Sequence, residues 1–315
     1  MKMIDVQTKF STNDKCLDYL EAMRWPKGVC CIACGSIRVS KITRETKSKN
    51  KRTRIYQCLE SACKHQFSPT AGTIFHDSHL PLVKWFLAIA LICEAKKGMS
   101  ACQLQRHLGV NYRTAWHLAH RIREAMNQDS LVLDAPAVEA DETYVGGKTY
   151  RPRGHGRFPT KPNDVVLGMV ERNGGRLKLV PIADTKARII QPELEKHISE
   201  HVGTIYTDEH PIYIFALKRK FGGKHLTINH SKTYGIGSTH TNTIENAFSL
   251  FKRGLLGTFH KVSKKHLARY CNEFSYRFNR RKQQERLFGE TTKKLLNGER
   301  LPYKKLTASA EVSLS

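Results

Sequence analysis

The 315-residue sequence predicts an α/β protein: a mixed sheet-and-helix core in the second half, preceded by a small cysteine-built module and a helical segment. Three observations predict it. Two close cysteine pairs fall before residue 70, helical periodicity fills residues 79 to 126, and β-rich runs alternate with helical ones from Leu131 onward. The chain carries 53 Lys and Arg against 28 Asp and Glu, a formal net charge of +25, and is 40% hydrophobic. That apolar fraction builds a core and excludes a disordered basic tail. Such a surface repels itself unless a polyanion or an acidic membrane neutralises it, and nucleic acid is the leading partner. The longest apolar run, Trp85 to Cys93, falls far short of the roughly twenty residues that span a bilayer. The polar start MKMIDVQTKFSTNDKC lacks the apolar stretch of a secretory signal, so no membrane partner and a cytoplasmic, nucleoid-associated location are expected.

The first element is built on cysteine. Cys31-x2-Cys34 and Cys58-x4-Cys63 offer four thiolates from two tight turns, the arrangement of a structural zinc ribbon. The second pair is longer than usual, and His65 is an alternative to Cys63 as fourth ligand. A redox pair would need a βαβ context that is missing here. Between the pairs lies the basic stretch RVSKITRETKSKNKRTRIY.

The helical segment follows. Ser78 is placed to cap a helix with Pro81 in its first turn. In SACQLQRHLGVNYRTAWHLAHRIREAM, Ser100 opens one helix, Gly109 breaks it and Asn111 caps the next. This is helix-turn-helix spacing, with Leu104, Leu108, Val110, Ala115, Trp116 and Leu118 inward. Tyr112, Arg113, Thr114, His117 and Arg121 then face DNA, the arginines on phosphate. An ordinary helical hairpin fits the same spacing.

From Leu131 the order reads three strands, helix, strand, helix, strand, helix. AVEADETYVGG is the first strand, and VVLGMVERNGGRLKLVPI holds two strands around an Asn173-Gly174-Gly175 turn. GTIYTDEH and HLTINH are the remaining strands, and the last helix starts near Thr241. The basic Pro/Gly-rich stretch YRPRGHGRFPTKPN, residues 150 to 163, reads as a loop. Pairing the first strand with the fourth gives a ribonuclease-H-like order, which brings Asp141 and Asp208 to one place, with Glu245 on the last helix beside them. Three hard oxygen donors suit Mg2+ or Mn2+. Glu139, Glu142, Asp134, Asp164 and Glu209 are neighbouring alternatives. Lys252, seven residues after Glu245, returns to within about 20° of it around the helix.

At these residues the sequence resembles the insertion-sequence transposases that join an N-terminal zinc ribbon to an ISXO2-like DDE catalytic domain. The segments that carry the likeness are CIACGS, FSPTAGTIFHDSHLPLVKW, SACQLQRHLGVNYRTAWHLAHRIREAM, VEADETYVGGK, YTDEH, HTNTIENAFSLFKRGLLGTFH and YCNEFSYRFNRR, across about residues 20 to 283. The resemblance implies that Asp141, Asp208 and Glu245 hold the catalytic metal, that Lys252 assists them, and that Asn242 belongs to the same motif. It implies DNA transposition: metal-activated water cuts the element end, and the freed 3′-OH attacks target DNA. The expected partners are the element's terminal inverted repeats and target DNA, with a homo-oligomer forming on the ends. Arg277, Arg280 and Arg281, with Lys261, Lys264 and Lys265 before them, are expected to form a basic helical surface for phosphates. The expected organisation is residues 1–70 as N-terminal region with the ribbon, 71–130 as DNA-binding segment, 131–290 as catalytic domain and 291–315 as tail. A regulator that binds DNA through ribbon and helix-turn-helix, with an inert nuclease-like domain, is the competing reading.

Overall fold

The computed structural model describes residue 1 and residues 3–42, 54–146, 164–228 and 241–308. Its elements in the first part of the chain are α1 (Met3–Lys9), α2 (Asn13–Arg24), β1 (Val39–Ile42), β2 (Ile55–Cys58), β3 (Gln66–Phe67), α3 (Leu82–Glu94), α4 (Ala101–Leu108) and α5 (Tyr112–Ala125). They continue with β4 (Ala137–Val145), β5 (Asp164–Glu171), β6 (Leu177–Ile182), α6 (Ala187–His197), β7 (Thr204–Asp208), α7 (Pro211–Phe221) and β8 (His225–Ile228). Last come α8 (Asn242–Gly254), α9 (Lys264–Asn279), α10 (Gln284–Asn297) and α11 (Tyr303–Thr307). The loop expected at 150–163 lies outside the described residues, as do positions 43–53 of the basic stretch. The chain forms two compact units, one of residues 1–94, 101–125 and 283–315, the other of 95–100 and 126–282.

In the first unit, β1, β2 and β3 form a small antiparallel sheet in that order. Trp25, Tyr56 and Phe67 pack as its aromatic core, with centroids 5.8 to 6.1 Å apart. Helix α3 is apolar all round and buries Trp85, Phe86, Ile89 and Ile92, as a central helix must. It starts later than the Ser78 cap expected: the Pro81 carbonyl accepts from Lys84 and Trp85, while Ser78 Oγ accepts from Leu80 N and Trp85 Nε1. Phe10, Phe86 and Phe288 meet at 4.6 to 5.8 Å. Residues 291–315 were expected to be a tail; 309–315 lie outside the described residues, and for 291–308 the structure corrects the sequence. Leu295, Leu296, Leu301 and Leu306 are buried, because the repeat of leucines on α10 and α11 gives this segment an apolar face of its own. Between α4 and α5, Gly109 takes φ +57°, and Asn111 Oδ1 accepts from Thr114 N at 2.7 Å, so both breaker and cap act as expected.

In the second unit the sheet order is β6-β5-β4-β7-β8. Strands β4, β5 and β6 are antiparallel neighbours, and β7 and β8 run parallel to β4. Asn173 at φ +60° and Gly174 at φ +80° make the tight turn between β5 and β6. Side chains alternate across the sheet. Val138, Ala140, Leu167 and Met169 pack with Ile190, Leu194 and Tyr213 of α6 and α7 on one face. Val166, Val170, Leu177 and Leu179 pack with Ile244, Phe248, Phe251 and Cys271 of α8 and α9 on the other.

Candidate active site and metal centre

The sulfurs of Cys31, Cys34, Cys58 and Cys63 all lie within 4.8 Å of one another. Cys31 Sγ is 3.7 Å from Cys63 Sγ, and Cys34 Sγ is 3.6 Å from Cys58 Sγ. Tetrahedral zinc with bonds of about 2.3 Å sets its sulfurs roughly 3.8 Å apart, so the cage fits structural zinc. The long second pair is explained by its turn. In the first knuckle Gly35 N bonds back to Cys31 O at 2.9 Å; in the second, Lys64 N bonds back to Glu60 O at 3.1 Å. The same turn is built two residues further from Cys58, and Gly35 and Lys64 both take positive φ. His65, the alternative ligand, stacks on Phe67 instead. Burial raises the Cys31 thiol, but the N–H groups of Cys34 and Ala33 outweigh it and hold the thiol at about 7. Cys58, without as much compensation for its burial, is pushed up to about 12.

The acidic residues meet in the second unit. The parallel pairs Ala137↔Thr204, Val138↔Ile205 and Glu139↔Tyr206 bring β4 and β7 together two residues before Asp141 and before Asp208, where β7 ends, and the charge of Asp208 acts on Asp141. Asp141 Oδ1 accepts from Glu142 N at 2.8 Å, and Asp208 Oδ1 from His210 N at 3.2 Å. Glu245 lies in the first turn of α8, with Thr241 Oγ1 donating to its Oε1 at 3.3 Å. Burial first, then the negative charges of Glu142, Asp208 and Glu245, push the Asp141 carboxyl up to about 7. Asp208 and Glu245 are thus near enough to Asp141 for their charges to act on it. Among the described residues only the four cysteines have their donor atoms gathered within 4.8 Å; the carboxylates are grouped more loosely. Lys252 lies two turns along α8 from Glu245 and is half-buried.

The neighbouring acids have other partners. Glu139 is fully buried and accepts from Arg172 Nε at 2.8 Å, Thr243 Oγ1 at 2.9 Å and Ile244 N at 2.9 Å. Glu142 points to the opposite face, where Tyr213 Oη donates to it at 2.5 Å. Asp134 pairs with Arg176 at 2.5 Å. Gly168 escaped the sequence reading. It stands opposite Asp141 on β5, and a Cβ there would sit 2.6 Å from the Phe248 ring and 2.7 Å from Ile244 Cδ1. The available signal was a glycine inside the strand pattern VVLGMV, which marks a close approach.

The expected DNA-facing residues divide. Arg113 is exposed and lies over the Tyr303 ring at 4.2 Å, and Thr114 is half-buried. His117 Nε2 pairs with the Leu301 carbonyl at 3.1 Å. Arg121 is buried rather than surface-facing: it lies 4.8 Å from the Trp85 centroid and donates to His76 O at 3.1 Å, because its turn of α5 packs inward. Arg277 is also no surface cation. Its side chain is 9% exposed, ion-paired with Glu273 at 3.3 Å and bonded to the Ala95 carbonyl at 2.7 Å. Arg280 stacks on Tyr276 at 3.8 Å; Arg281 is exposed, lies on Phe278 at 4.0 Å and donates to the turn carbonyl of Gly174 at 2.8 Å.

Comparison with known proteins identifies two domains in the chain. Residues 133–279 match the ISXO2-like transposase domain, and residues 11–66 match the transposase zinc-ribbon domain. The chain thus carries both domains of the insertion-sequence transposases. It is 26% identical over 289 residues to an uncharacterized protein in transposable element ISH50 of Halobacterium salinarum, a match covering 87% of this chain and 93% of that protein. Among the described residues no helix is long and apolar enough to cross a membrane.

Proposed function

We propose that this transposase cuts and joins DNA at one site formed by Asp141, Asp208 and Glu245 on a ribonuclease-H-like core. The observation that carries the reading is the mutual action of the Asp141, Asp208 and Glu245 charges, on strands β4 and β7 that pair in parallel just before the two aspartates, in a chain of net charge +25. The sheet supports it, with three antiparallel strands continued by two parallel to β4. Asp141, Asp208 and Glu245 fit Mg2+ or Mn2+ as oxygen donors. Such ions, when bound, activate an attacking water or 3′-OH and stabilise the leaving oxygen of an in-line displacement.

The chain's own groups do the rest. The N–H groups of Glu142 and His210 hold the two aspartates in place. Lys252, on the same side of α8 as Glu245, supplies a cation for a phosphate next to the scissile bond. Water attack frees a 3′-OH, which then attacks a target phosphodiester, with no covalent bond to the protein. The zinc ribbon and the α4–α5 pair bind the terminal inverted repeats, and a homo-oligomer holds two ends together.

The test is nicking and joining of DNA carrying the flanking terminal repeats, with Mg2+ as the added metal. Wild type should react, and Asp141→Asn and Asp208→Asn should not while still binding the DNA. Equal behaviour of all three proteins would overturn the reading and favour a DNA-binding regulator with an inert core.

A further inference from the structure

A cavity of about 540 Å3 opens in the first unit beside the start of α5. Its wall includes Asp77, Asn111, Arg113, His117, Arg121 and Tyr303. Arg121 is the unusual member. It is 7% exposed, and its buried Nε has no hydrogen-bond partner among the described residues. Its one carbonyl partner, His76 O, and the Trp85 face leave the guanidinium without a paired carboxylate. The one carboxylate whose charge acts on it, Asp77, is itself paired with Arg300 at 3.0 Å and with His76 at 3.4 Å. Burial and the nearby Arg300 push the Arg121 guanidinium down to about 10. A buried cation with an unused donor calls for an anion.

The mouth supplies a second cation. Arg113 stacks on Tyr303 at 4.2 Å and is exposed, so its planar fork is already oriented. The 14-residue helix α5 begins at the same place and adds the partial positive charge of its N-terminus. Two guanidinium forks converging on one cavity match the oxygens of a phosphate.

We propose that this cavity is a phosphate-binding site, with Arg113 and Arg121 as its ligands. The phosphate belongs to a DNA backbone or to a free phosphate compound. In the DNA form the proposal rests on the chain's binding element ends, whereas the pocket shares no residue with the carboxylate site. Two arms separate the sources, both using the zinc-loaded full chain. In one, thermal melting is followed with inorganic phosphate, deoxyadenosine 5′-monophosphate and deoxyadenosine. In the other, affinity for duplex carrying the terminal repeats is measured between about 50 and 200 mM salt.

A free-phosphate site predicts that phosphate and the nucleotide, but not the nucleoside, raise the melting temperature, and that Arg113→Ala and Arg121→Gln abolish the rise. A backbone site predicts that each variant lowers the salt slope of duplex binding by about 0.9, the loss of one phosphate contact. Arg113 is exposed, so Arg113→Ala keeps the test valid if Arg121→Gln fails to fold. Asp141→Asn should leave both readouts unchanged, which separates this proposal from the catalytic one. It is overturned if no phosphate compound binds and Arg113→Ala leaves the duplex affinity and salt slope at their wild-type values.

Discussion

The buried carboxylate of Glu139 accepts the backbone N–H of Ile244 at 2.9 Å, so a strand residue two positions before Asp141 caps the helix that carries Glu245. A negative charge at a helix N-terminus is stabilising, and here it is held by Arg172 at 2.8 Å. The distance between strand and helix is therefore set by a group that does no chemistry itself.

Glu139→Ala should cost about 3–5 kcal/mol, since it leaves the Arg172 guanidinium buried without its partner. Chemical denaturation measures the loss. Adding Arg172→Ala should cost less than the sum of the single changes, and strict additivity would show that the pair is not coupled.

Gly168→Ala should cost about 1–3 kcal/mol and slow DNA nicking, because the new methyl meets Phe248 and Ile244 of α8 directly. Gly222→Ala is the control, with open space around its position. Equal stability and nicking rates in the two variants would disprove a spacing role for Gly168.

Asp141 predicts a pH dependence. Its folded carboxyl stands at about 7, above the ordinary value of 3.8, so its contribution to stability is complete below about pH 4 and is lost as pH rises through 7. Without added divalent cations, Asp141→Asn should therefore gain stability relative to wild type between pH 5 and 8. Denaturation midpoints across that range test the point, and a constant gap would contradict it.

Zinc removal should unfold the ribbon, and its ligand set is testable residue by residue. Metal analysis should find one zinc per chain in wild type and in His65→Ala, and a loss of zinc in Cys63→Ser. The opposite pattern would make His65 the fourth ligand.

Much of the fold is legible in local signals. The Asn173-Gly174 hairpin, the Gly109 break and the Asn111 cap depend on neighbours in sequence, and each lies where composition places it. The cysteine cage follows from spacing, although the choice of Cys63 over His65 needed the turn that starts at Glu60. The burial of Arg121 and Arg277 was not legible, because a charge pattern along a helix does not reveal which face another helix covers. Both guanidiniums bond to carbonyls far away in sequence, and Arg121 also lies against the distant Trp85 ring.

The sequence by itself determined the class of element at each position, the two cysteine pairs and the acidic residues worth attention, because periodicity, turn chemistry and ligand type are local properties. Tertiary structure alone decided that Glu139 is a structural anchor while Asp141 is a member of the acidic cluster. Both are acids on the same face of β4, two residues apart. What separates them is contact across the fold: Glu139 lies beneath the N-terminus of α8 with Arg172 to balance it, whereas burial first, and then the like charges of Glu142, Asp208 and Glu245, raise the Asp141 carboxyl.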